Sequence, residues 1–130
     1  GFAEIYTRFA KALIGVGSAS GSDAPAGMAT EFVALANPYT DDLSAGFPVR
    51  LLRDGAPRPD AQVEVFERAP DGMVAVTYLR TDADGIVHVQ VRPGHDYQLD
   101  AVILREPPAE TGAAWESLWA NLTFAVPPAQ

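Results

Sequence analysis

Two hydrophobic periods divide this chain. Phe2, Ile5, Phe9 and Leu13 recur at helical spacing, with Glu4, Arg8 and Lys11 on other faces, so residues 1–14 predict one amphipathic helix. Gly15 and Gly17 end it, and the Gly-, Ser- and Ala-rich stretch over 15–29, which includes Pro25, has the composition of a flexible linker. An isolated helix this short is marginal in water, so its apolar stripe requires a surface to dock on.

From Thr30 the period becomes two. Strands are expected over 30–36, 47–53, 61–67, 74–81, 86–91, 97–105 and 118–126. Phe47, Val49 and Leu51 share one face of the second. Leu118, Ala120, Leu122, Phe124 and Val126 share one face of the last. Asp54-Gly55, Pro70-Asp71-Gly72, Asp82-Ala83-Asp84-Gly85 and Pro93-Gly94 mark the corners, and Ala56-Pro57-Arg58-Pro59 cannot continue a central strand because proline donates no amide hydrogen. Seven short strands at such spacing predict an all-β, immunoglobulin-like sandwich over residues 30–127. A small barrel buries the same faces and stays open as an alternative.

Composition narrows the function. The 130 residues carry a formal net charge of −8, which excludes the concentrated basic field that nucleic acid or anionic lipid requires. Eleven Gly and eleven Pro suit a turn-rich β fold. The absence of Cys removes disulfides, thiolate metal sites and Cys nucleophiles. No apolar run reaches the length of a membrane-spanning helix, and the start at Gly1 reads as a processed form or a fragment.

The Asp54–Val91 segment, with its Asp-Gly turn, its Val63-Glu64-Val65 strand and the Thr81–Gly85 corner, resembles a transthyretin-like or carboxypeptidase-regulatory-like β-sandwich. Adding Ala10–Leu13, the Pro93-Gly94 corner before a long strand, and Trp115–Phe124 makes the chain similar to the C-terminal portion of a family of bacterial exported domains of unknown function associated with nickel or cobalt uptake. That resemblance implies a periplasmic or secreted setting. It also implies nickel or cobalt as the metal, and a membrane transporter component or another periplasmic protein as partner.

The metal candidates are His88, His95 and Asp96, although seven residues of straight strand would hold the two histidines roughly 23 Å apart. His88 alternates with Val87 and Val89 and is expected on the solvent side. Asp82-Ala83-Asp84-Gly85 mimics the opening of a calcium loop, but Pro93 stands where the bidentate Glu belongs, so a hairpin turn is the better reading. Ser44 and Ser117 lack a nucleophile setting, and Asp41-Asp42 reads as loop carboxylates, so no enzyme is expected. Trp115 and Trp119, with Tyr78 and Tyr97, offer flat faces for a partner. Trp119 is the expected surface residue, and Trp115 is expected to close the loop end. The expected function is a non-catalytic binding or accessory module, or alternatively a structural or adhesive domain that holds a protein or glycan.

Overall fold

A computed structural model of the chain describes residues 3–129. Among these the regular elements are nine strands and one 3-10 turn: β1 (Glu4–Ala12), β2 (Thr30–Ala34), β3 (Phe47–Arg53), β4 (Ala56–Pro57), β5 (Gln62–Arg68), β6 (Val74–Arg80), β7 (Ile86–Val89), β8 (Asp96–Arg105) and β9 (Trp115–Ala125), with the turn at Ala109–Thr111. The all-β expectation holds, and each of the seven expected strands is present within a few residues of its expected limits.

The helix expected over 1–14 is corrected to a strand. Gly1 and Phe2, its first residues, lie outside the described residues. Glu4–Ala12 runs parallel to β9, with Ile5 beside Glu116 and Phe9 beside Ala120. Ile5, Phe9 and Leu13 are four apart, and four is an even number, so the same residues that fill a helical stripe also line one face of a strand. Ile, Tyr, Thr and Phe in the run 5–9 favour the pleated form, and β9 supplies a ladder that a free helix would lack. The count of seven is corrected by this strand and by β4. Asp54 (φ 51°) and Gly55 (φ 80°) form a tight two-residue turn that returns Ala56 and Pro57 to the end of β3.

One sheet has the order β1-β9-β8-β5-β6, and the other places β3 between β2 on one side and β4 and β7 on the other. Their inner faces meet in one core. Phe32, Phe47, Val49, Leu51, Val87 and Val89 pack from the smaller sheet against Val63, Val65, Tyr97, Leu99, Leu122 and Phe124 from the larger. Phe47 and Phe124 bridge the two layers with ring centroids 4.5 Å apart.

The Gly-rich stretch over 15–29 forms no strand or helix, yet it is fastened at several points. Asp23 accepts the outward amide of Ala34 on β2 at 2.9 Å, and the Glu31 carboxylate accepts the amides of Ala26 and Gly27. Lys11 of β1 reaches Glu31 at 3.2 Å, Asp23 at 3.4 Å and the Ala24 carbonyl at 3.0 Å. Glu31 is 1% exposed. Burial by itself pushes its carboxyl up, but the Ala26 amide, the Lys11 ammonium and the Gly27 amide outweigh that and hold it below its ordinary value. This cluster stitches the first strand, the following loop and β2 into one body.

Candidate functional site

Three regions of the sandwich carry the residues that could bind something. The first is the corner between β7 and β8. Pro93-Gly94 turns the chain there, with Gly94 at φ 81°, and delivers His95 and Asp96 to the start of β8. The Tyr97 hydroxyl donates to Glu67 of β5 at 2.6 Å and accepts the Arg92 amide at 2.7 Å. Burial, and then the bond to Glu67, push this phenol well above its ordinary value. His95 Nδ1 lies 3.2 Å from the same Glu67 oxygen, out of line for a hydrogen bond. Its ring is stacked beside Tyr97, which stacks in turn on Phe124. Asp96 turns to Arg68 at 2.7 Å instead.

The structure therefore separates the three metal candidates. His88 lies exposed on β7 of the smaller sheet, as its alternation with valines predicts, whereas His95 and Asp96 begin β8 of the larger one. Among the described residues no group of three or more His, Asp or Glu side chains could hold a metal ion. The donor set named by the sequence does not form a common shell. Asp82 is likewise committed to its own turn. Its carboxylate accepts the amides of Ile86 and Asp84, which hold it below its ordinary value.

The second region is the outer face of the five-stranded sheet. Glu64 and Asp100 sit opposite each other on β5 and β8, and like charges in that position oppose pairing. Asp100 is buried and accepts hydrogen bonds from Gln98 at 3.0 Å and Asn121 at 2.5 Å, which supply the compensation. Further along β9, Trp119 donates to Ser117, and the Arg8 guanidinium lies 5.6 Å from the centre of its ring. The expected exposures of the two tryptophans are reversed. Arg8 belongs to the strand that was read as a helix, and it half-covers Trp119, while Trp115 at the sheet's end is 51% exposed. Tyr97, read as a flat face for stacking, is a core residue, and Tyr78 on β6 remains open at 62%.

The third region flanks Tyr39, whose hydroxyl donates to the Leu13 carbonyl. On one side a cleft of about 350 Å³ is lined by Leu13, Ile14, Val16, Asp23 and Asn37. On the other a more apolar cleft of about 410 Å³ is lined by Leu43, Val91, Pro93, Val126 and Pro127, with Asp41 and Asp42 contributing. Both are open hollows of the size that small ligands occupy. Glu67, Asp100 and Asn37 were missed by sequence reasoning. Each has a partner distant along the chain, Ala19 for Asn37, Tyr97 for Glu67 and Asn121 for Asp100, and no local motif marks such pairs.

A two-layer sandwich with anchored polar clusters and open apolar patches defines a class of small β modules. Within that class, the chain belongs to a family of domains of unknown function, DUF4198, whose family model matches residues 3–105. The match spans β1 to β8 and ends before β9. Neither the curated proteins nor the solved structures include a match to this chain. Among the described residues, no helix is long and apolar enough to cross a membrane.

Proposed function

We propose that this chain is a non-catalytic accessory module of the bacterial periplasm that holds a protein partner, a component of a nickel or cobalt uptake system, through its apolar surface. The metal link runs through that partner rather than through a shell of its own.

One observation carries the reading: several buried or half-buried polar groups are taken up by partners within the chain, while large apolar groups stand outside. Lys11, Asp23 and Glu31 fasten the first strand, Glu67 holds Tyr97, and Asp100 is bound by Gln98 and Asn121. Trp115 and the β6 side chains are left open. Exposed aromatic and branched groups of this kind anchor protein partners at low entropic cost. A glycan-holding role draws less support, because Arg8 lies over the tryptophan best placed on the sheet face.

A photo-crosslinking residue at position 115, expressed with the native periplasm, tests the partner. The expected result is a defined adduct with a transporter component, competed by unlabelled protein. Calorimetric titration with nickel, cobalt and zinc tests the second half. No stoichiometric heat is expected, and a one-to-one site lost in His95→Ala would contradict the claim that the module has no metal shell of its own.

A further inference from the structure

The two clefts beside Tyr39 differ in the charge they leave unmet. In the smaller one Asp23 is taken up by Lys11 and by the Ala34 amide, so its charge is already answered. The larger, of about 410 Å³, is formed by the β2–β3 connection, the corner after β7 and the residues after β9. Its floor is Leu43, Val91 and Val126, half-buried side chains that pack against the core. Asp41 and Asp42 also line it and are exposed. Among the described residues neither takes part in an ion pair, and no Lys, Arg or His lines the cleft.

Both the charge and the aromatic wall are held in place. Asp42 accepts the Ser44 amide at 2.9 Å, and this bond, with that to the Ser44 hydroxyl, keeps its carboxyl below the ordinary value and ionised at neutral pH. Asp41 accepts the Asn37 amide at 2.8 Å. Tyr39 is fixed at three points. Its hydroxyl donates to the Leu13 carbonyl and accepts the Ala125 amide at 3.4 Å, and its ring lies against Gly15, where an added Cβ would come within 3.0 Å. A site ordered beforehand loses little freedom when a ligand enters.

We infer that this cleft binds a small organic cation, an ammonium carried on an apolar body, with the body on Leu43, Val91 and Val126 and the charge toward Asp41 and Asp42. Its volume is that of a small-ligand site. The aliphatic floor gains from covering by an apolar group, and the Tyr39 ring attracts a positive charge as the carboxylates do. A net charge of −8 on the whole chain favours the approach of cations. An anion would meet two like charges, and a neutral molecule would gain from the floor alone. Val126 follows the end of β9 while Trp115 begins that strand, so this site stands apart from the tryptophan proposed to meet a protein partner.

Three probes with one apolar body separate these cases: phenethylammonium, phenethyl alcohol and phenylacetate, each titrated into nitrogen-labelled protein and followed by amide chemical shifts. The ammonium is expected to saturate, with the largest shifts at Leu43, Val91 and Val126 and a dissociation constant on the order of 1 mM. The alcohol is expected to bind about fivefold more weakly, and phenylacetate more weakly still. Asp41→Asn/Asp42→Asn keeps acceptors for the Asn37 and Ser44 amides, and should bring the ammonium down to the affinity of the alcohol while leaving the alcohol unchanged. Val126→Lys puts a cation on the floor and should abolish ammonium binding; if it fails to fold, the Asn variant decides alone. No saturation, equal affinity for the three probes, or an Asn variant that still prefers the ammonium overturns the inference.

Discussion

Replacing Lys11 by Met should destabilise the fold by about 3 kcal/mol, because it removes the cation from a carboxylate that has almost no contact with water. Breaking one side of a buried ion pair costs about 3–5 kcal/mol, and the lower end applies because the Ala26 and Gly27 amides still hold Glu31. For a domain of this size that amounts to a fall in melting temperature of about 10 °C. In urea it amounts to a midpoint shift of about 1.5 M, for a slope near 2 kcal/mol/M. The sign with pH follows from the carboxyl being held below its ordinary 4.5. Its contribution is complete above that value in the folded protein and is lost as pH falls through the lower, folded value. The penalty of Lys11→Met should therefore be largest near neutrality and shrink in acid, once Glu31 is protonated in both proteins. Paired urea melts at about pH 7 and about pH 3.5 measure this directly. A penalty under about 0.5 kcal/mol at neutral pH, the value of an exposed pair, would refute the reasoning. So would one that is equal at both pH values. The double variant Lys11→Met/Glu31→Gln should recover part of the loss, since it removes the more deeply buried of the two carboxylates that Lys11 meets and leaves only Asp23, which keeps the Ala34 amide.

Three other substitutions probe separate parts of the account. Gly85 sits at φ 75°, where an added Cβ would lie 2.9 Å from both the Arg58 amide nitrogen and the Leu51 carbonyl oxygen, so Gly85→Ala should cost about 2 kcal/mol or more in the same urea assay. Tyr97→Phe strips the Arg92 amide of its acceptor and should cost about 1–2 kcal/mol. Because the Tyr97 phenol is raised above its ordinary value of 10.0, its stabilising contribution is present below that pH and fades as pH climbs past it; an absorbance titration should lose its most alkaline step in the Phe variant. Arg8→Ala should uncover Trp119 and shift its fluorescence to the red in a Trp115→Phe background, and an unchanged spectrum would contradict the stacked geometry.

The sequence was legible where alternation and turn chemistry agree. β3, β5, β6 and β8 follow from apolar residues two apart, bounded by Asp-Gly and Pro-Gly corners, and His88 was rightly placed outside because Val87 and Val89 claim the inside. The first strand was misread because spacing by four fits both periods. Lys11 on its inner face looked like a solvent residue, since its acceptors on Asp23 and Glu31 lie 12 and 20 positions further on. The same distance effect hid the Glu67–Tyr97 and Asp100–Asn121 pairs, and with them the fact that these carboxylates are structural anchors. The exposures of Trp115 and Trp119 were reversed for the reason that β1 was missed: it is β1 that brings Arg8 over the indole.

The central claim is that residues 4–12 complete the larger sheet as a parallel edge strand. Amide hydrogen exchange, measured residue by residue, tests it most directly. The Leu13 amide bonds to the Thr123 carbonyl, so the odd-numbered amides of β1 face β9 and the even-numbered ones face outward. Slow exchange at Thr7, Phe9 and Lys11, alternating with fast exchange at Arg8 and Ala10, is the predicted result. Protection running unbroken through residues 7–12, as a helix gives, or none at all, would contradict it.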